Sequence, residues 1–198
     1  MVRDQDEFGG DDLSLRLLLG QRALSRQGLH DTLTDLPDRA RLTERFERTL
    51  AGGARAGHPL AVAFLNLDQF EQINASLGDA AGDVVLVEVA ERLALQLRDG
   101  EILARFAGDE FVAVWPNLES AEDTNQFSER LAEAFEAPFL AAGAEVLVSA
   151  RIGVGVAQRD QNADEMLLAA AVAMNDAKRR GLGKCRSSLQ SCASGRPR

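Results

Sequence analysis

The stretch from residue 60 to residue 115 constrains the fold most, because three kinds of apolar pattern follow one another within it. A short run of β-forming residues predicts a buried strand. Helical spacing of apolar residues then predicts a helix, and two more apolar runs around a tight turn predict a hairpin. The predicted bounds are 60–67 for the strand, 84–97 for the helix, and 102–106 and 111–115 for the hairpin strands.

Two adjacent acids, Asp109 and Glu110, lie in the predicted hairpin turn. The first strand ends at Asp68, and the segment that follows, with Gly78 and Gly82, is predicted to be a loop. Carboxylates beside the polar end of a buried strand suit a metal-bound phosphate, because hard cations prefer oxygen ligands. The alternative is a solvated turn, since acids are common in turns, and the spacing alone favours that alternative.

The remaining segments complete an order of helix, strand, helix, hairpin, helix, strands and helix. This order is typical of an α+β domain with an antiparallel or mixed sheet covered by helices. The other helices are predicted at 39–50, 119–137 and 162–180, and residues 139–157 are predicted to form two strands around a turn at Gly143.

One domain is predicted at 31–186, preceded by a helix at 12–30. That helix is interpreted either as a linker that carries a signal or as a simple docking helix. Residues 1–11 are predicted to be disordered or an added, non-native end, and the Ser-rich residues 187–198 to be a disordered tail.

The net charge of −9 argues against non-specific binding of nucleic acid. Cys185 and Cys192 have no second pair and no metal-ligand spacing, so they are expected to be free thiols in a reducing compartment. No apolar run is long enough to span a membrane, and no signal peptide is visible. The sequence therefore predicts a cytoplasmic domain that does not insert into membranes.

Four ordered segments resemble the GGDEF domain of diguanylate cyclases. RFAGDEF resembles the signature RxGGDEF, DTLTDLPDR resembles DxLTGLPNR, FLNLDQFEQINASLGDAAGD resembles FxDxDxFKxINDxxGHxxGD, and AKRRG resembles AKxxGR; they occupy residues 105–111, 31–39, 64–83 and 177–181. The resemblance implies a ferredoxin-like, palm-type central sheet of about five mainly antiparallel strands flanked by helices, as in nucleotidyl cyclases.

The same resemblance implies the chemistry of cyclic di-GMP synthesis from GTP with Mg²⁺ or Mn²⁺. It assigns catalytic roles to Asp109 and Glu110 and metal ligation to Asn66, Leu67 and Asp109. The family has an Asp where this chain has Asn66, whose amide brings no charge and accepts no proton. Asp68, two residues on, is expected to replace it in part.

Nucleotide recognition is implied at Asn74 and Asp83, which match positions that read guanine; loop capping is the alternative. Phosphate contacts are implied for Phe70, Glu71 and Lys178, together with the backbone N–H groups of 67–71. Two basic positions of the family are changed, because Glu71 replaces a Lys and Leu182 replaces an Arg. Any nucleotide binding is expected to depend on a divalent cation.

A product-inhibition site is implied at Arg98 and Glu101, where the family pattern is RxxD; an exposed Arg at a helix end is the alternative. The substitutions favour a degenerate GTP-binding regulatory module with weak or no cyclase activity. The alternatives are an active cyclase that works as a homodimer and a purely structural domain. An upstream sensor or a downstream phosphodiesterase domain is the expected partner in the parent protein.

Overall fold

The computed structural model describes residues 29–56, 59–116, 118, 122–156 and 162–179. Its helices are α1 (Arg39–Ala56), α2 (Phe70–Leu77), α3 (Asp79–Leu95), α4 (Glu122–Glu133) and α5 (Ala163–Arg179). Its strands are β1 (Ala61–Leu67), β2 (Ile102–Ala107), β3 (Glu110–Trp115), β4 (Phe139–Ala141), β5 (Ala144–Val146) and β6 (Ala150–Val156). In this part of the chain no helix combines the length and apolarity that a membrane crossing requires.

The chain ends fall outside these residues, as do the two cysteines and Leu182. The segments predicted at 1–11 and 187–198 are therefore not described, and neither is most of the helix predicted at 12–30. That helix does not extend to residue 30 as predicted, because His30 forms an isolated antiparallel bridge with Pro37. The bridge closes a tight turn at the entrance to the domain.

The central sheet has four strands in the order β2-β3-β1-β6, and all neighbours are antiparallel. The predicted α+β class and antiparallel sheet are confirmed, with four strands in place of about five. The difference lies in residues 139–157, which form a separate β4–β5 hairpin around Gly143 before β6 joins β1. Arg92 on α3 holds that hairpin by donating to the carbonyl oxygens of Ala137 at 2.6 Å and Pro138 at 2.7 Å.

Strand β1 is buried on both faces, which explains its continuous apolar run. One face packs against α2, α3 and α4, and the other against α1 and α5. The first face buries Ala63, Leu65, Phe111, Val85 and Phe127, and the second buries Val62, Phe64, Val112, Phe46 and Met166.

The predicted loop after β1 is wrong, because residues 70–77 and 79–95 are helical. Gly78 separates the two helices with a φ of 87°, a conformation that glycine adopts without a steric penalty. Gly82 lies inside α3, where a Cβ atom would come within 1.8 Å of Asn74 Oδ1. Both glycines therefore allow α2 and α3 to meet closely. Glycines are also common in loops, and this is why the sequence predicted a loop here.

Helix α5 packs very closely on β6 at two glycines. A Cβ on Gly153 would lie 2.3 Å from the backbone N of Met174, and one on Gly155 would lie 3.6 Å from the backbone N of Ala170. The four-residue step from Ala170 to Met174 rises about 6 Å along the helix, which is close to the rise of about 6.6 Å for two strand residues. By the same spacing, the backbone of Lys178, four residues further along α5, lies level with Arg151 on β6.

This close approach predicts different effects for two glycine substitutions on β6. Gly153→Ala should lower the free energy of unfolding by about 1–3 kcal/mol, because the new methyl group meets helix backbone that must shift. Gly155→Ala is the matched control, since its Cβ would make ordinary van der Waals contacts. Urea denaturation of both variants measures the difference, and equal stabilities would contradict the packing described.

Candidate functional site

The strand register brings three polar residues together at one end of the central sheet. Asn66 on β1 lies opposite Glu110 on β3 and opposite Arg151 on β6. Directly paired residues in an antiparallel sheet point to the same face, here the face covered by α1 and α5. An amide, a carboxyl group and a guanidinium group therefore stand side by side where the sheet meets the β2–β3 turn.

The β2–β3 turn is attached to the end of β1. The N–H of Leu67 donates to the carbonyl oxygen of Asp109 at 3.2 Å. Gly108 takes a φ of 52°, whereas Ala107 is not among the residues with positive φ, so an alanine fits there. Asp109 and Glu110, the two expected catalytic acids, are thus held beside the metal-ligand candidates Asn66 and Leu67.

Arg105 fixes this turn to the entrance of the domain. Its Nε donates to the carbonyl oxygen of Gly108 and its Nη1 to Asp31 Oδ1, both at 2.9 Å. Asp31 Oδ1 also accepts from the backbone N and the hydroxyl of Thr34 at 2.8 Å. Burial alone would raise the pKa of Asp31, but the hydrogen bonds from Arg105 and Thr34 outweigh it and hold the pKa below its usual value.

The lowered pKa of Asp31 predicts an acid-sensitive contribution to stability. A depressed carboxyl pKa stabilises the fold above the unfolded-state value and loses that effect as pH falls through the folded-state value. Asp31→Asn should cost roughly 1–3 kcal/mol at pH 7, because Arg105 loses its charged partner, and the difference should shrink towards pH 3.

Thermal melts of the Asp31→Asn variant across pH 3–8 measure this effect. Asp35→Asn is the matched control, because the side chain of Asp35 is fully exposed. A pH-independent difference between Asp31→Asn and the unmodified chain would contradict the assignment.

Asp68 does not stand free to bind a metal. Its Oδ2 accepts from the hydroxyl of Ser149 at 2.8 Å, and its Oδ1 forms an ion pair with Arg151 Nη2. Its N–H donates to the carbonyl oxygen of Ser149 at 2.8 Å. The N–H groups of Leu67 and Asp68 are thus already used, which removes two donors from the predicted 67–71 phosphate cradle.

Glu110 carries an unusual carboxyl group in this cluster. Burial raises its pKa, and the neighbouring negative charge of Asp109 raises it further. Both acids are half-buried. A carboxyl group with a raised pKa beside a second acid is suited to receiving a cation or a proton.

The guanine-reading candidates lie at the α2–α3 junction. Asn74 packs against Gly82, and Asp83 follows it on an exposed face of α3. Asn74 Oδ1 is buried and has no hydrogen-bond partner. Buried polar atoms are nearly always paired in folded proteins, and a rotation of the amide away from Gly82 would let this oxygen accept from a ligand N–H.

The phosphate candidates are placed less uniformly. Phe70 is a core residue, whereas Glu71 is exposed on the first turn of α2. A negative side chain there repels phosphate oxygens. The backbone of Lys178 lies in the last turn of α5, and its side chain is outside the described part.

The two candidates of the product-inhibition site differ in environment. The Glu101 side chain is only 1% exposed and pairs with Arg130 Nη2 at 2.6 Å, while its other oxygen accepts from the backbone N of Arg98. The Arg98 guanidinium is exposed, 5.4 Å from the Trp115 ring centroid. Glu101 is thus held in an internal ion pair, whereas the exposed Arg98 guanidinium donates to Gln126 Oε1 at 3.4 Å.

The residues that hold the candidate side chains in position were not identified from the sequence. Arg151, Ser149, Arg105 and Arg130 were not predicted to have a role. A signal existed for two of them, because Arg105 and Arg151 are the charged residues within otherwise apolar strands. Such residues need a partner when half-buried.

An open groove of about 710 Å³ lies between the β2–β3 turn and helix α1. It is lined by residues that include Asp31, Arg39, Arg105 and Gly108. None of the guanine-reading candidates borders it. The candidate site is therefore the sheet end with its α2–α3 junction, and the groove adjoins it through the β2–β3 turn.

Comparison with known proteins identifies a family that this chain matches. The family model described as diguanylate cyclase, GGDEF domain, matches residues 28–184. Diguanylate cyclase TpbB of Pseudomonas aeruginosa is 37% identical over 83% of this chain and 38% of its own length. Cyclic di-GMP phosphodiesterase NbdA of the same species is 36% identical over 79% of this chain and 20% of its own length.

A solved structure agrees with the fold. It is the GGDEF domain alone of PA1120 (TpbB or YfiN) from Pseudomonas aeruginosa, with a TM-score of 0.76 and 36% identity over 80% of this chain and 93% of that chain. The chain spans well under half the length of both curated relatives.

Proposed function

The chain belongs to the diguanylate cyclase GGDEF-domain family of cyclic di-GMP signalling, and we propose that it is a GTP-binding regulatory module with weak or no cyclase activity. Cyclic di-GMP is its second proposed ligand, at Arg98. The expected setting is the cytoplasm, where GTP is found, within a longer protein that carries a sensor or a phosphodiesterase domain. A homodimer is the expected assembly.

The observation that carries this proposal is Asn66 in register between Glu110 and Arg151. Cyclisation requires attack of a ribose hydroxyl on a phosphate, with neutralisation of the charge that develops there. An amide at that position brings no negative charge to hold a metal and accepts no proton. Removal of one transition-state group typically costs a factor of 10² or more in rate.

Guanine recognition is supported by Asn74 and Asp83. The unpaired Oδ1 of Asn74 would accept from a guanine N–H, and the carboxylate of Asp83 would accept from N1–H and N2–H₂ together. Adenine offers no such pair of donors. A site built for these groups rejects a ligand that lacks them, because its own polar atoms stay unpaired.

Diguanylate cyclases of this family generally use divalent metal ions. Mg²⁺ or Mn²⁺ would have to be held by the amide oxygen of Asn66, the carbonyl oxygen of Leu67 and the carboxylate of Asp109. This set contains one carboxylate, since Asp68 is paired with Arg151 and Ser149. It therefore holds a divalent ion less strongly than the two-acid set of the family pattern would, and no catalytic step is assigned to one.

The alternative function is an active diguanylate cyclase that condenses two GTP molecules across a homodimer. Similarity to TpbB favours it, whereas similarity to NbdA shows that a protein named as a phosphodiesterase contains a comparable segment. The two functions differ in turnover and not in binding, so product formation separates them.

We expect cyclic di-GMP production near background. The purified chain is incubated with GTP and Mg²⁺, and separately with Mn²⁺, and the product is measured by chromatography and mass spectrometry. The Asn66→Asp variant should not recover full activity, since Glu71 and Arg151 remain. Robust turnover by the unmodified chain would establish the cyclase and refute the regulatory proposal.

We expect GTP to raise the melting temperature more than ATP does, and Asp83→Ala to abolish this difference, because the variant loses the acceptor for N1–H and N2–H₂. Asp79→Ala is the matched control: Asp79 is an exposed acid one helical turn earlier on α3. Equal shifts with GTP and ATP, or a GTP shift unchanged in Asp83→Ala, would leave only a structural role.

A further inference from the structure

The sheet end offers a divalent cation fewer carboxylates than the family pattern does. The part of the chain that the structure describes has no group of three or more His, Cys, Asp or Glu side chains able to hold a metal ion. Mg²⁺ in nucleotide sites is typically bound by one or two carboxylates and the phosphates. Here Asn66 is neutral and both oxygens of Asp68 are engaged by Ser149 and Arg151, so Asp109 and Glu110 of the β2–β3 turn are the carboxyl groups that remain.

A permanent positive charge stands in the same place. Arg151 pairs in register with Asn66, and paired Cα atoms in an antiparallel sheet lie about 4.5–5.5 Å apart. The Arg151 side chain is only 18% exposed, so its charge is poorly screened by solvent. Asp68 offsets part of this charge, yet the guanidinium still weakens the attraction of the site for a divalent cation and offers N–H donors to a phosphate.

The guanidinium of Arg151 has capacity left for a ligand. Asp68 binds its Nη2, while its Nη1 is buried and has no hydrogen-bond partner. Arginine carries five N–H donors in a rigid fork that matches phosphate oxygens. Asp68, itself held by the Ser149 hydroxyl, fixes the position of the Arg151 side chain, so little rotamer entropy remains to be lost on binding.

We propose that Arg151, anchored by Asp68, replaces the divalent cation at this site and binds the phosphates of GTP directly, so that GTP binds without Mg²⁺ or Mn²⁺. This inference rests on the proposed GTP-binding function and departs from the metal dependence expected from the sequence. It makes Arg151 a binding residue. The competing interpretation is that Arg151 only neutralises Asp68 and never meets the nucleotide.

The first experiment compares GTP binding to the unmodified chain by calorimetry in EDTA and in Mg²⁺. We expect the dissociation constants in EDTA and in Mg²⁺ to agree within about threefold, because the Arg151 guanidinium takes the place of the metal ion. Binding in Mg²⁺ that vanishes in EDTA would overturn this inference and leave the proposed function intact. Absence of GTP binding in both buffers would overturn both.

The second experiment measures the same binding in EDTA for variants of Arg151. Arg151→Gln should weaken it tenfold or more, and Arg151→Lys should weaken it less, because it keeps the charge and loses the fork. Arg48→Gln is the control: Arg48 is an arginine on α1 with a 63% exposed side chain, and its loss should change nothing. Wild-type affinity of Arg151→Gln in EDTA would overturn the proposal.

A third variant tests the exchange in reverse. Asn66→Asp combined with Arg151→Ala removes the built-in cation and restores a carboxylate beside Glu110. GTP binding should then become sensitive to EDTA and recover with Mg²⁺. Metal-independent binding by this double variant, shown by circular dichroism to be folded, would contradict the role given to Arg151.

Discussion

The structure depends on the pairing of β1 with a strand on each side. Hydrogen bonds to β3 and β6 leave β1 without a free edge, and apolar cores cover both of its faces. A slip of one residue would exchange the two faces and bury Asn66 in the wrong core. This constraint fixes the register, and the register alone brings an amide, a carboxyl group and a guanidinium group to one end of the sheet.

Local patterns were enough to predict most of the elements. The apolar run of β1, the β2–β3 hairpin and the long helices follow from periodicity and turn chemistry, which act over a few residues. The α2–α3 junction was predicted as a loop because Gly78 and Gly82 usually indicate turns. Their real role is steric, since one allows a positive φ and the other makes room for Asn74.

The chemistry of the site was only partly predictable, because its decisive contacts join distant parts of the chain. Asp68 and Ser149 are 81 residues apart, and Glu101 and Arg130 are 29 apart. No spacing rule connects such pairs. Asn66 was therefore recognised as a departure from the family pattern, while the ion pair that occupies Asp68 was not.

The pairing of Arg151 with Asp68 also limits what a single substitution in this domain can achieve. The substitution Asn66→Asp on its own would place a new carboxylate in register with Arg151, which would compete with any metal ion for that carboxylate. Loss of Arg151 on its own would leave Asp68 without its ion pair. The effects of substitutions at residues 66 and 151 are therefore coupled, and a change at one position alters what the other can bind.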